Sequence, residues 1–291
     1  MSDRPDWARE GRDWPNRAAS RFVDAGGVRW HVQIAGDGPP LLLLHGTGAA
    51  THSWRDLIPL LAKHFTVVAP DLPGHGFTAS GAKALPAMAK AVAGLLAELD
   101  LEPTIIVGHS AGVAVGLRMA LDGMVDAKVV VGLSPALLPF PGLAAKLFPT
   151  MAKLLFVNPF APHIFAGIAR GPGEVARFML RSTGSKIDEA GIAAYAKLFG
   201  KPGHIAGTIA MMASWDLEPL KCDLPGLKVP LLLIHGDGDT AIPLAKAHEA
   251  ATLVPGARLE VLSGLGHLAH EEAPERVAEM ITVFVKSGLS A

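Results

Sequence analysis

The sequence predicts an α/β protein whose mostly parallel sheet carries helices on both faces and is interrupted by a helical cap. Three observations predict this class. Short, continuously apolar runs alternate with helical patterns, which is typical of parallel strands buried on both faces. The alternation stops over residues 135–224, where only helical stretches separated by proline and glycine occur, and then resumes. Finally, a chain of 291 residues with 50% apolar and 18% charged residues can fill the core of one such domain.

The predicted elements follow one another in a regular order. Two β runs surround the turn signal Ala25-Gly26-Gly27, and the run Leu41–Leu44 is the first strand without a polar residue. Further strands are expected over 66–69, 104–107, 128–133, 231–234 and 258–262, and helices over 53–62, 86–99, 111–121, from 243 and over 275–286. The predicted core domain is therefore 21–134 with 225–291, the cap is 135–224, and 1–20 form an N-terminal arm that lies on the surface or is partly disordered.

Composition excludes several classes of protein. The chain has 26 basic and 27 acidic residues, so it lacks the positive field of a nucleic-acid-binding protein. Its single cysteine, Cys222, excludes an intramolecular disulfide. We expect a cytoplasmic protein, because the first residues lack the apolar segment of a signal peptide and no uncharged apolar run is long enough to span a membrane. The mean hydropathy of +0.34 fits a large core, or contact with membranes or apolar substrates.

The segment Gly108-His109-Ser110-Ala111-Gly112 matches the pattern G-x-S-x-G directly after a predicted strand and directly before a predicted helix. In this context the serine sits on a strained turn as an exposed nucleophile. Bulky residues in place of the two glycines would collide with the neighbouring strand and helix. Ser110 is therefore the candidate nucleophile.

A serine nucleophile needs a base and an acid, which follow in the order Ser, Asp, His in this kind of site. His267 is the preferred base because it lies between flanking glycines after the last strand; its rival, His270, lies three residues further on. Asp239 is the preferred acid because it follows a buried strand with the spacing Gly-x-x-Asp. Its rival, Asp237, is expected to form an Asx turn.

The charge that develops on a substrate oxygen requires backbone N–H donors. We expect them from Thr47, in the loop after the first parallel strand, and from Ala111 at the start of the helix. His45 and His75 are interpreted as loop-bracing residues, since no acidic residue stands at metal-ligand spacing on a shared helix. The sequence thus predicts no metal site, and no helix begins among the glycines of 74–81 to form a dinucleotide site.

These motifs together resemble the α/β-hydrolase superfamily over residues 21–287, with the insertion in the position of that fold's cap. A narrower resemblance, to the magnesium-chelatase accessory proteins of bacteriochlorophyll biosynthesis, is carried by residues 13–16, 27–33, 45–54 and 71–78. The first two segments matter most, because generic hydrolases lack them. The narrower resemblance implies a role near magnesium insertion into protoporphyrin in photosynthetic bacteria, with a tetrapyrrole or a magnesium chelatase subunit as partner. It implies no particular reaction and no cofactor.

The predicted cap is both aromatic and locally basic. It holds seven of the eleven phenylalanines, and between Phe140 and Lys186 six basic residues stand against one acid, Glu174. Such a surface suits a flat hydrophobic anion such as a porphyrin, or an anionic membrane face. A solvated charged face is the more common explanation. The candidate anion-binding residues are Lys153, Arg170, Arg177 and Arg181.

Three functions are compatible with this pattern. The first is a serine hydrolase that cleaves an ester or similar acyl bond of a small hydrophobic substrate. The second is an accessory protein that binds a tetrapyrrole or a chelatase subunit without needing catalysis. The third is carbon–carbon bond hydrolysis, which would use the same three residues. A serine at position 110 disfavours dehalogenase or epoxide-hydrolase chemistry, which uses an aspartate nucleophile.

Overall fold

The computed structural model describes residues 3–139, 151, 154–155 and 157–289, and the predicted mostly parallel sheet is present in them. Eight strands form the sheet in the order β1-β2-β4-β3-β5-β6-β7-β8. β2 pairs antiparallel with β1 and β4, and the remaining neighbours are parallel. The strands are β1 (Ser20–Ala25), β2 (Val28–Ala35), β3 (Pro40–Leu44), β4 (Thr66–Pro70), β5 (Ile105–His109), β6 (Val129–Leu133), β7 (Leu231–Gly236) and β8 (Arg258–Leu262).

Helices cover both faces of the sheet because alternate strand residues point to opposite sides. In β3, Leu42 and Leu44 join the core layer under α2 and α3, whereas Leu41 and Leu43 join the layer under α1 and α11. These two layers hold most of the large buried side chains. The helices of the core domain are α1 (Leu57–Leu61), α2 (Leu85–Glu98), α3 (Ala111–Leu121), α9 (Leu244–Leu253), α10 (Ala269–Glu272) and α11 (Pro274–Leu289).

The helix predicted over 53–62 is split into two parts. A 3₁₀ turn covers Thr51–Trp54, and α1 begins at Leu57. The turn begins earlier than predicted because the buried Asp71 carboxylate accepts a hydrogen bond from the Thr51 amide at 2.7 Å. This contact joins residues twenty positions apart, so helical periodicity carries no sign of it.

Five described helices lie between β6 and β7: α4 (Ala161–Ala169), α5 (Glu174–Thr183), α6 (Glu189–Phe199), α7 (Pro202–Ala213) and α8 (Glu218–Asp223). We call them the inserted helices. α7 packs on the loops that follow β3 and β4, where His204 donates to the Gly48 carbonyl at 3.0 Å and accepts from the Gly76 amide at 3.1 Å. Burial lowers the pKa of His204 to about 4, so this neutral imidazole fixes α7 over the carboxyl edge of the sheet.

The N-terminal arm is held more firmly than its polar composition suggested. Trp14 is 2% exposed, and its indole donates to the Thr51 hydroxyl at 2.9 Å. Asn16 donates to the Arg55 carbonyl at 2.9 Å, and Gln33 donates to the Pro15 carbonyl at 2.6 Å. Of the two expectations for the arm, this part fits the one in which it lies against the core domain, because these hydrogen bonds tie it to β2 and to the loop after β3.

Candidate active site

Ser110 occupies a strained turn between β5 and α3. Its φ of 51° and ψ of −117° lie in a region that residues with a side chain rarely adopt. The surroundings impose this conformation, because the Ser110 amide donates to the Leu133 carbonyl of β6 at 2.9 Å. Ser134, at the end of β6, also has a positive φ, of 44°. The backbone strain thus lies at the carboxyl ends of two adjacent strands.

Gly112 allows α3 to begin directly against β3. A Cβ atom at this position would lie 2.0 Å from the Leu44 carbonyl oxygen, which no side chain tolerates. The N-terminus of α3 is therefore fixed beside Ser110. Ala111 is the first residue of α3, so its amide has no hydrogen-bond acceptor within the helix. The loop that carries Thr47 also approaches Ser110, since a Cβ on Gly46 would lie 3.0 Å from the Ser110 Cβ. In the described part of the chain no protein group accepts from the amides of Thr47 or Ala111.

His267 and Asp239 are joined by a short hydrogen bond. The distance from His267 Nδ1 to Asp239 Oδ2 is 2.7 Å, and the Asp239 side chain is fully buried. The other carboxylate oxygen, Oδ1, accepts from the amides of Ala241 and Ile242, both at 2.8 Å. Since a carboxylate only accepts, Nδ1 carries the proton and Nε2 of His267 is left as a proton acceptor.

Asp237 does not form the Asx turn that its sequence suggested. Its Oδ1 accepts from the Gly264 amide at 2.7 Å, and its Oδ2 accepts from the Ser263 hydroxyl at 3.0 Å. The local turn is made by Asp239 instead, through its bond to the amide two residues on. Asp237 therefore ties the end of β7 to the loop that carries His267.

The His267 loop is also held by residues that follow α5. The His267 amide donates to the Thr183 carbonyl, and the Leu268 amide donates to the Ser185 hydroxyl, both at 2.8 Å. Gly266 permits this approach, because a Cβ there would lie 2.5 Å from the Ser185 amide nitrogen. The inserted helices thus help to position the candidate base, a contribution that the sequence analysis missed.

His109, the residue before the candidate nucleophile, contacts the candidate base directly. Its Nε2 donates to the His267 carbonyl at 3.0 Å, and the two rings lie 4.8 Å apart. Burial, with neighbouring histidines, lowers the pKa of His109 well below its ordinary value, so the ring is a neutral donor. The variable position of the G-x-S-x-G pattern gave no signal for this role.

His270, the rival base, is turned away into a buried polar cluster. Its Nε2 lies 2.9 Å from the Ser53 hydroxyl, which donates to Glu271 Oε1 at 2.6 Å. Tyr195 donates to the same oxygen at 2.8 Å, and Arg55 pairs with the other. Burial lowers the pKa of His270 to about 3, which leaves it uncharged at neutral pH. Burial also raises the pKa of Glu271, against the opposing effect of Arg55.

The basic residues predicted in the cap differ in their surroundings. Arg170 donates to the Gly200 carbonyl through Nε at 3.1 Å and Nη2 at 2.7 Å, so it closes the end of α6. Arg177 pairs with Glu174. Arg181 is exposed and has no ion-pair partner among the described residues, and Lys153 lies outside them. The anion-binding hypothesis therefore rests on Arg181 alone among the three described residues.

The described residues offer little support for other kinds of site. No group of three or more His, Cys, Asp or Glu side chains there is arranged to hold a metal ion. No helix there is long and apolar enough to cross a membrane. Two surface depressions of about 240 Å³ and 300 Å³ lie between the arm and α7 and between β8 and α11. Neither is lined by Ser110.

Comparison with known proteins places this chain in a family. The model of the α/β-hydrolase family matches residues 41–280. The chain is 41% identical to the magnesium-chelatase 30 kDa subunit of Rhodobacter capsulatus, over 92% of this chain and 95% of that protein. It is also 31% identical to the pimeloyl-[acyl-carrier protein] methyl ester esterase of Aromatoleum aromaticum, over 85% of this chain and 98% of the esterase.

Solved structures agree with the family match. An epoxide hydrolase, CorEH, superposes with a TM-score of 0.79 at 25% identity, covering 92% of this chain and 98% of its own. The predicted fold class is therefore confirmed, and so is the resemblance to the superfamily.

Proposed function

Because the chain belongs to the α/β-hydrolase family, we propose that it is a serine hydrolase that cleaves an ester or similar acyl bond. The observation that carries this proposal is the strained conformation of Ser110 beside the loop of His267, whose Nδ1 is 2.7 Å from the buried Asp239. Backbone strain of this kind costs about 1–3 kcal/mol and clusters at active sites. Ser134 shares the positive φ but lacks a base loop joined to a buried carboxylate, so the proposal rests on the strain and the His267–Asp239 contact together.

In the proposed mechanism, Ser110 Oγ attacks the carbonyl carbon while His267 Nε2 takes the hydroxyl proton. The amides of Thr47 and Ala111 donate to the negative carbonyl oxygen, and the α3 N-terminus adds a favourable partial charge. The protonated His267 then gives its proton to the leaving alcohol or thiol. A water molecule repeats the sequence on the acyl-enzyme and releases the acid. Asp239 keeps Nδ1 protonated throughout and stabilises the imidazolium.

The substrate class is proposed to be small and hydrophobic. Support comes from the phenylalanine-rich segment between β6 and β7 and from the name of the relative in Rhodobacter capsulatus. That name also supports a role as an accessory to magnesium insertion in bacteriochlorophyll biosynthesis. Arg181 is the described cation best suited to a substrate carboxylate.

The test is active-site labelling with a fluorophosphonate, followed by turnover of aryl esters. We expect stoichiometric labelling of Ser110 and loss of both labelling and turnover in Ser110→Ala. Ser134→Ala is the matched control, since Ser134 also has a positive φ at the end of a neighbouring strand but no proposed chemical role. Labelling that persists in Ser110→Ala would contradict the assignment.

A second candidate is a tetrapyrrole-binding or chelatase-binding accessory protein whose triad is incidental. The specific finding that favours it is the 41% identity to a protein named as a magnesium-chelatase subunit. Fluorescence titration with magnesium protoporphyrin, on wild type and on Arg181→Ala, separates the two candidates. Binding at micromolar protein together with no ester turnover favours the accessory role. Turnover of a carbon–carbon bond substrate but not of esters would favour the third function.

A further inference from the structure

Large exposed apolar side chains are concentrated in one part of the molecule. Among the described residues, nine of the twelve such side chains lie between positions 151 and 180. Scattered exposed apolar residues are normal on a protein surface, whereas a contiguous group marks an interaction surface. We define the apolar ridge as the five residues spaced three or four apart along and before α4: Leu154, Val157, Phe160, Ile164 and Ile168.

α4 presents its large side chains to solvent and its small ones to the protein. Phe160, Ile164 and Ile168 are 71%, 58% and 56% exposed, whereas the buried residues of the helix are Ala161 and Ala166. Positions three or four apart share one face of a helix, so the exposed side chains form a continuous stripe. A helix that only packs on its own core has the opposite arrangement, with its large side chains inside. The outward stripe therefore requires another explanation.

In the sequence, the charged residues on either side of the ridge are mostly basic. Residues 154–169 contain no Asp, Glu, Lys or Arg, and the basic residues of the region lie before and after them, with Arg181 unpaired in the described chain. Among the described residues, the Asp3 carboxylate lies 3.9 Å from His163 of α4, one position or about 100° around the helix from the stripe. A charge-free apolar stretch flanked by cations is the pattern of a segment that lies in a lipid interface.

We propose that the apolar ridge is a docking surface for an anionic lipid bilayer. Its apolar side chains would enter the boundary between headgroups and acyl chains, while the flanking cations remain at the level of the phosphates. A second copy of the chain fits this surface less well. A twofold dimer would place the same patch on itself and bring its predominantly basic flanks together.

Docking at this surface would also bring lipid close to elements that hold the candidate site. The end of α5 contacts both the acid turn and the base loop, since Thr240 donates to the Arg181 carbonyl at 3.2 Å and the His267 amide donates to the Thr183 carbonyl at 2.8 Å. The proposal does not rest on catalysis. Ser110→Ala protein is expected to bind lipid as wild type does.

The test is co-sedimentation with vesicles of phosphatidylcholine alone and of an equal mixture of phosphatidylcholine and phosphatidylglycerol. We expect wild-type protein to pellet with the mixed vesicles and to be partly released by salt. Replacing Phe160, Ile164 and Ile168 by serine should lower the partition coefficient by about tenfold or more. Each replacement removes apolar surface that the bilayer would otherwise bury. Val283→Ser is the matched control, because Val283 is a 63% exposed apolar residue on α11. Val283→Ser should leave the partition coefficient at its wild-type value.

Two further measurements keep the result unambiguous. The triple variant should keep the circular dichroism spectrum and thermal midpoint of wild type, because it changes only exposed positions. Arg181→Gln should weaken binding to the mixed vesicles and not to phosphatidylcholine alone. The proposal would be overturned if the wild-type protein bound neither kind of vesicle. It would also be overturned if the triple variant bound the mixed vesicles as strongly as the wild type does. A wild-type dimer by light scattering that the triple variant abolishes, without vesicle binding, would assign the ridge to self-association instead.

Discussion

The two aspartates that follow β7 hold different parts of the candidate site, although they are only two positions apart. Asp239 is buried and contacts the His267 ring, whereas Asp237 contacts the backbone and hydroxyl of the loop at 263–264. The first contact orients an imidazole and fixes its tautomer. The second only holds a loop, and an amide side chain can still accept one of its hydrogen bonds.

Replacement of each aspartate by asparagine should therefore have unequal effects. Asp239→Asn should lower kcat by up to about four orders of magnitude, because the amide no longer fixes the productive tautomer of His267. Asp237→Asn should lower kcat by less than about tenfold and mainly reduce thermal stability, as one lost hydrogen bond does. Steady-state kinetics on aryl esters and thermal melts of both variants check this. Equal losses of kcat would show that the acid has been placed at the wrong aspartate.

The main candidate residues could be proposed from the sequence because each lies in the loop that follows a strand. The carboxyl ends of parallel strands meet at one edge, so the topology predicts that the loops of Ser110, Asp239 and His267 lie on the same side of the sheet. The supporting contacts of His109, Ser185 and their neighbours could not be predicted. They depend on loop approaches between residues far apart in the chain, and no periodic pattern encodes such approaches.

At the scale of elements, the strands were easier to predict than the inserted helices. A run such as Leu41–Leu44 has few alternatives, because it is apolar throughout and too short for a helix. The helices between β6 and β7 are separated by prolines and glycines. In α4 the large apolar side chains face solvent and the small ones face the protein. The hydrophobic periodicity of α4 therefore indicates the side that faces outward, so the pattern alone gives the wrong orientation.

Two helical glycines allow a matched test of how α3 is seated. Gly112→Ala should reduce the free energy of unfolding by more than about 2 kcal/mol and abolish turnover, since the new Cβ would lie 2.0 Å from the Leu44 carbonyl oxygen. Gly94→Ala in α2 meets no atom within 4 Å and should increase stability by about 0.5–1 kcal/mol. Urea unfolding of both variants checks the pair. A Gly112→Ala protein as stable as wild type would mean that α3 is not fixed by this contact.

At the scale of the whole molecule, neutral histidines are buried throughout the carboxyl edge of the sheet. Burial lowers the pKa values of His45, His52, His75, His109, His204, His235 and His270. Except for His52, whose ring nitrogens have no hydrogen-bond partner in the described chain, these rings are neutral donors or acceptors, as when His45 accepts from the Leu72 amide at 2.8 Å. Acid is therefore expected to act on the stability of the whole fold through these buried rings.

The free energy of unfolding should consequently fall as pH decreases from about 6.5 towards 4. In this window the unfolded chain protonates its histidines while the folded chain does not, so the unfolded state binds more protons. Each such histidine contributes up to about 1.4 kcal/mol per pH unit. Glu271 opposes this trend, because its raised pKa favours the folded state as it becomes protonated, but it is one group against several. Urea unfolding at pH 7.5, 6.0 and 5.0 measures the slope.

His270→Gln supplies the control for this dependence. Glutamine can still donate to the Ser53 hydroxyl but cannot bind a proton, so the variant should show a slope smaller by up to about 1.4 kcal/mol per pH unit below 6.5. The comparison uses the slope and not the absolute stability, so a packing defect in the variant does not affect it. The contradicting result is a free energy of unfolding of the wild type that stays constant between pH 7.5 and 5.0. That result would mean that the buried histidines take up protons in the folded protein as readily as in the unfolded chain. Their neutral hydrogen-bonding roles would then have to be abandoned.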